Sequence, residues 1–162
     1  MPPRHATPAF DPHDHAACAS EAIGAVEAAC AERGVRLTPV RRRVLELLWE
    51  SHAPVGAYDL LDRLKEEGFG AQPPVIYRAL DFLMGQGFAH KLQRLNAYVG
   101  CAHPDERCAA YFLICKDCGR AAELHDPGIQ TALGRAAEAE GFTLGDAVVE
   151  VEGRCSACRG AA

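Results

Sequence analysis

The residues best suited to chemistry in this chain of 162 are its eight cysteines. Four of them stand as two Cys-x-x-Cys pairs, Cys115-Lys-Asp-Cys118 and Cys155-Ser-Ala-Cys158. Each pair sets two thiolates on one tight turn, and two such turns build the tetrahedral four-sulfur shell that Zn2+ accepts. Thirty-six residues separate Cys118 from Cys155, room for a helix and a strand to leave and return. That gap is longer than in a compact zinc ribbon. The competing chemistry is a thioredoxin-like dithiol, which needs a strand-to-helix βαβ setting and would make a second pair redundant. The spacing therefore predicts a structural zinc on Cys115, Cys118, Cys155 and Cys158, with metal binding and folding coupled.

A second set of soft ligands gathers at the junction: His90, Cys101 and Cys108 before the first pair and Glu123 just past it, with His103 and His125 as spare imidazoles. Spacing alone leaves two readings open. One is a joint site; the other is a half-buried strand histidine, two small cysteines and a solvated carboxylate. A site built across a junction between two parts changes their mutual angle when it fills. Thiolate and imidazole donors favour zinc over iron(II) or manganese.

The third chemical feature is charge. Arg33, Arg36, Arg41, Arg42 and Arg43 fall within eleven residues that contain no acid, on a chain of formal net charge -5. Such a balance excludes a uniformly basic nucleic-acid coat but allows a local patch. Downstream, Ile76, Ala79, Leu80 and Leu83 share one helical face, leaving Arg78 with Pro74 and Asp81 on the other. An arginine there can meet a guanine edge with both nitrogens. Lys91 and Arg94 can take phosphates. The alternative for Arg41 to Arg43 is a solvated helix face paired with Glu46 and Glu50.

These groups need elements to hold them. Met1 to Ala17 contain four prolines and three histidines (His5, His13, His15) with little to bury, and read as a flexible tail. His13-Asp14-His15 has weak metal-binding potential, outweighed by a solvated tail. Cys18 to Arg33 reads as an amphipathic helix stopped by Gly34. Thr38-Pro39 caps a second, to about Ser51. A third spans Ala57 to Glu67, and Pro73-Pro74 opens a fourth that runs to Met84. From Gly87 to Val99 the apolar period changes to two, as in a pair of short antiparallel strands. Short helices followed by a β-hairpin form the winged helix-turn-helix layout, over residues 18–99. Residues 100–108 form a hinge.

Residues 109–162 then alternate, with strands at Tyr111–Ile114, Arg120–Leu124 and Ala147–Val151 and a helix at Ile129–Glu140. A region of about 55 residues is small for a self-sufficient core and calls for a metal staple or a partner chain. The class expected is α+β.

The words Arg-Leu-Thr-Pro-Val-Arg (36–41), Ala-Tyr-Asp-Leu-Leu (57–61), Pro-Pro-Val-Ile-Tyr-Arg-Ala-Leu-Asp-Phe-Leu (73–83) and Gln-Gly-Phe-Ala-His-Lys (86–91), with the two cysteine pairs, resemble the ferric uptake regulator family. The match runs over about residues 18–158, and the wording is nearest to the family's zinc uptake regulator branch. The resemblance implies a homodimer with an N-terminal winged-helix DNA-binding domain and a C-terminal α/β dimerisation domain. Cys115, Cys118, Cys155 and Cys158 match the family's structural zinc ligands. His90, Cys101 and Glu123 match three ligands of the zinc branch's regulatory site. Cys108 falls where that branch often has histidine, so it is the fourth ligand chosen, with His103 as the competitor. Iron-branch members carry a His-rich run near this linker; Cys-Ala-His-Pro-Asp-Glu-Arg-Cys stands here instead.

The function expected is a zinc-responsive transcriptional repressor of zinc uptake genes, with about two Zn2+ per subunit, bound to a palindromic double-stranded operator. Residues expected to meet DNA are Arg36, Arg41, Tyr58, Tyr77, Arg78 and Lys91. Rival readings keep the fold but sense iron, manganese or peroxide, or assign a zinc-buffering or delivery protein, or a dithiol oxidoreductase, without DNA. No nucleophile-base-oxyanion set, phosphate loop or catalytic carboxylate pair appears, which argues against an enzyme and a small-molecule substrate. The longest relevant apolar run, Ala109 to Cys115, is seven residues, far short of a membrane span. The N-terminus has no apolar h-region, so a cytoplasmic protein is expected.

Overall fold

The computed structural model describes residues 9–104, 110–145 and 147–160. Cys108 lies outside the described residues.

Helix α1 (His15–Arg33) is capped by Asp14, whose side chain accepts from the Ala17 N–H at 3.2 Å. It ends at Gly34, held left-handed at φ 64°, where a side chain would be strained. The helix therefore starts three residues before the expected Cys18, because Asp14 supplies an N-cap, and His15 to Ala17 are helical rather than part of a loose tail. Ala22, Val26, Ala29 and Cys30 form its buried stripe. Helix α2 (Pro39–Leu48) opens on Thr38, whose hydroxyl accepts from the Arg41 N–H at 3.4 Å. It stops before the expected Ser51, since Trp49 leaves helical geometry (ψ 3°) and buries its indole. Helices α3 (Ala57–Glu66) and α4 (Pro73–Gly85) follow, each packing its leucines inward.

A strand too short for a sequence period, β1 (Val55–Gly56), pairs with the hairpin of β2 (Ala89–Leu92) and β3 (Ala97–Gly100). The sheet order is β1-β3-β2, all antiparallel, with His90 opposite Val99 and Lys91 opposite Tyr98. Three-stranded sheet and helices share one core, from Val26 through Leu45, Leu60, Leu80 and Phe88 to Tyr98. This is a winged helix-turn-helix.

The C-terminal part comprises β4 (Ala110–Cys115), β5 (Ala121–Leu124), α5 (Pro127–Ala139), β6 (Val148–Gly153) and a single turn, α6 (Ser156–Arg159). Its sheet order is β5-β4-β6; β5 lies antiparallel to β4, and β6 returns parallel to β4 by way of α5. A second apolar cluster, Leu92, Val99, Phe112, Ile114 and Ala121, draws on both sheets and joins the wing to the C-terminal part. Helix α5 buries no residue, and β6 is an edge strand with Val148 and Val151 exposed.

Candidate metal centres and nucleic-acid face

Parallel pairing of β4 with β6 decides where the four sulfurs meet. Cys115 ends β4 beside Gly153, which ends β6, and the Lys116 N–H donates to the Gly153 carbonyl at 3.0 Å. Both Cys-x-x-Cys turns thus start from one end of one sheet. Gly119, left-handed at φ 74°, turns the chain back into β5. The four sulfurs lie within 4.8 Å of one another. Cys118 and Cys155 sulfurs are 3.9 Å apart, close to the ~3.8 Å edge of a tetrahedron with ~2.3 Å Zn–S bonds. The N–H of Cys155 donates to the Cys115 sulfur at 3.4 Å. That bond foremost, with the Cys118 N–H, brings the Cys115 thiol down to about 6. Cys158 is pushed up to about 12, by its hydrogen bond to Cys155 first and burial second. Donor set and spacing fit zinc.

The second centre spans both sheets. His90 comes from β2, Cys101 follows β3 with its N–H donating to the Phe88 carbonyl at 2.9 Å, and Glu123 sits on β5 opposite Phe112. Their ligand atoms all fall within 4.8 Å. Glu123 Oε1 lies 3.4 Å from His90 Nε2 and 3.8 Å from Cys101 Sγ, while Oε2 accepts from the Ala102 N–H at 3.1 Å. One carboxylate oxygen is thereby anchored and the other aimed at the site. Glu123 is the buried acid among the described residues, 7% exposed. A buried carboxylate beside a thiol and an imidazole suits a dication, whose charge offsets the cost of burial. His103 falls outside this group, its ring edge-on to His125 at 6.2 Å.

A third group was not anticipated as a site. His13, His15, Cys18 and His52 also offer ligand atoms within 4.8 Å of one another. Burial, then the neighbouring His15, His13 and Arg120, hold His52 down to about 4. Cys18 and His52 are far apart in sequence, so only the faint His13-Asp14-His15 signal was legible.

The basic window is smaller than its sequence suggests. Arg42 pairs with Glu27 and with Glu46 (3.0 Å), and Arg43 with Glu67 (2.6 Å), Glu46 (3.1 Å) and Glu50 (3.2 Å). Arg33 donates to the carbonyls of Gln86 (2.6 Å) and Pro104 (2.9 Å). Arg94, expected to face phosphate, pairs with Glu152 at 3.0 Å. Acids from neighbouring helices and from β6 converge on these cations, so the solvated-face alternative describes Arg42 and Arg43.

Of the residues expected to meet DNA, Arg36 and Arg78 are exposed, as are Tyr58 (66%) and Tyr77 (42%). Arg41 is half-buried, stacked 3.7 Å over the Phe82 ring and donating to the Arg36 carbonyl at 2.8 Å. Lys91 lies 5.7 Å over the Tyr98 ring. α4 thus presents Tyr77 and Arg78 from the second turn of a helix whose other face is core.

Comparison with known proteins accords with this geometry. The sequence profile of the ferric uptake regulator family matches residues 32–152. The zinc uptake regulation protein of Escherichia coli (strain K12) is 43% identical over 140 residues, covering 85% of this chain and 81% of its own. A zinc uptake regulator solved in complex with zinc and DNA superposes with a TM-score of 0.81 at 40% identity, over 88% of this chain and 96% of that one. Holo XcZur gives 0.79 at 45% identity, over 88% and 99%. The apo form of XcZur, with the same coverage and 46% identity, gives only 0.53. Fold, paired-cysteine centre and sequence together place the chain in one group: it belongs to the ferric uptake regulator family.

Proposed function

We propose that this chain is a zinc-responsive, DNA-binding transcriptional repressor of zinc uptake genes, cytoplasmic and homodimeric, with zinc as co-repressor. The observation that carries the reading is Glu123, a buried acid on the C-terminal sheet whose Oε1 faces His90 Nε2 at 3.4 Å and Cys101 Sγ at 3.8 Å. A dication held there ties the DNA-binding part to the C-terminal part. Cys108 completes the shell in this reading. The Cys115, Cys118, Cys155 and Cys158 centre holds a second, structural zinc, making two per subunit.

Several features support the rest. The overall shape follows the holo form of XcZur far better than its apo form. The bare face of α5 and the open edge of β6 offer apolar surface for a second copy. In such a dimer, regulatory zinc sets the two α4 helices about one turn of DNA apart, ~34 Å, to read a palindrome. Tyr58, Tyr77, Arg78, Arg36, Arg41 and Lys91 form the DNA face. Zinc acts only through its preference for the closed state, commonly ~1–3 kcal/mol of coupling, and operator DNA tightens zinc binding equally. The role is regulatory rather than catalytic.

A gel shift on a zinc-transporter promoter tests this. Retardation with zinc, abolished by chelator and not restored by iron(II) at equal free concentration, is the expected result. Retardation with iron(II) alone, or with no metal dependence, overturns it.

A further inference from the structure

The group near the N-terminus has the makings of a site that the regulatory reading does not use. His13 Nδ1 must donate to the Asp11 carbonyl (2.9 Å), because a carbonyl only accepts; this leaves a lone pair on Nε2. By the same logic His15 donates from Nε2 to the Trp49 carbonyl (2.8 Å), leaving its lone pair on Nδ1. That Nδ1 is buried and, among the described residues, has no hydrogen-bond partner. Backbone carbonyls that fix the tautomer of a histidine are the usual support behind a metal ligand. His52 Nε2 stands 3.0 Å from His13 Nε2, near the ~3.3 Å that two imidazoles keep around a zinc with ~2.0–2.1 Å bonds. The His15 ring stands edge-on to both His13 and His52, and the His13 and His52 rings are tilted at 47°, with centroids 4.6 to 5.6 Å apart.

We propose that His13, His15, Cys18 and His52 form a third metal site, which binds zinc through three imidazoles and one thiolate. Four such donors would suit a tetrahedral shell and are those zinc prefers. On binding, Cys18 releases its thiol proton to solvent, and His52 carries its ring proton on Nδ1 so that Nε2 faces the metal. The charged groups that line the same cavity are Asp11 and Glu50, with Arg120 of the opposite sign. The site joins the segment before α1, the first turns of α1 and the loop after α2. The His52 carbonyl in turn accepts from the Ala121 N–H at 2.9 Å, two residues before Glu123. Filling it therefore braces the junction that the regulatory site closes.

Alkylation of the full-length protein with iodoacetamide, read peptide by peptide by mass spectrometry, tests the proposal. Zinc is expected to shield Cys18 in the wild type. His13→Ala, a change outside every helix and strand, is expected to abolish that shielding, to lower bound zinc by one per subunit, and to leave Cys101 and Cys115 shielded. Cys18 reacting equally with and without zinc in the wild type overturns the site, as does full shielding and zinc content in His13→Ala. Zinc-dependent operator binding is measured on the same samples; its absence with Cys18 shielded refutes the regulatory reading alone.

Discussion

Glu123 and His90 face each other across the two parts of the chain, with Oε1 3.4 Å from Nε2. The carboxylate is almost fully buried, and its second oxygen is already held by the Ala102 N–H. Burying a carboxylate is costly unless something compensates its charge. In the proposed reading a dication bound there would offset that cost and hold the two parts at one angle.

Glu123→Ala should remove that metal response while sparing the fold. The variant is expected to stay a folded dimer whose DNA affinity no longer rises with zinc, where the wild type gains roughly 5- to 150-fold. Cys101→Ser is expected to behave alike. Fluorescence anisotropy on an operator duplex, with zinc and with chelator, reads the ratio; an unchanged zinc response in either variant would refute their role as regulatory ligands.

Proton balance makes the four-cysteine centre pH-dependent. Cys158, held up to about 12, is a thiol at neutral pH, whereas Cys115, down to about 6, is already mostly thiolate. Zinc must displace the Cys158 proton but finds Cys115 ready. Zinc affinity of this centre should therefore rise with pH across 7 to 9, with proton release seen by calorimetry in buffers of different ionisation enthalpy. Cys158→Ser, which removes that proton, should flatten the effect and lower the melting temperature of the C-terminal part; a flat pH response in the wild type would contradict the assignment.

How much of this was legible in the sequence depends on range. Thr38-Pro39, Gly34 and the leucine stripes mark helices locally, and each was found where local chemistry put it. The Cys-x-x-Cys pairs carry their own geometry within four residues. β1 was missed because two residues have no period. The fate of Arg42, Arg43 and Arg94 was hidden because Glu27, Glu67 and Glu152 reach them from other elements. His52 joins His13 and His15 only through tertiary folding, and no spacing rule connects them.

That hidden pairing separates two kinds of arginine. Arg78 is exposed beside Tyr77 on α4, whereas Arg43 is engaged by Glu46, Glu50 and Glu67. Arg78→Ala should cost about 1–3 kcal/mol of operator affinity and relax discrimination at one base position. Arg43→Ala should leave operator affinity nearly unchanged and lower the midpoint of denaturant unfolding, since its pairs link α2 to the end of α3. Equal losses of DNA binding in both would mean that the basic window acts as a whole.

Gly100 closes β3 directly against the Trp49 indole, one residue before Cys101, a proposed ligand. A Cβ there would stand 2.5 Å from Trp49 Cε2 and closer still to Nε1. Trp49 is buried in the core and is not the free end of a flexible chain, so it cannot yield cheaply. Overpacking of this kind costs about 1–3 kcal/mol. Gly100→Ala should lower unfolding stability by that amount and also weaken zinc at the regulatory centre, because the strand that carries Cys101 must move. Chemical denaturation with and without zinc separates the two effects: stability lost equally in both conditions would leave the metal site untouched, and a larger loss with zinc present would show that the indole sets its geometry.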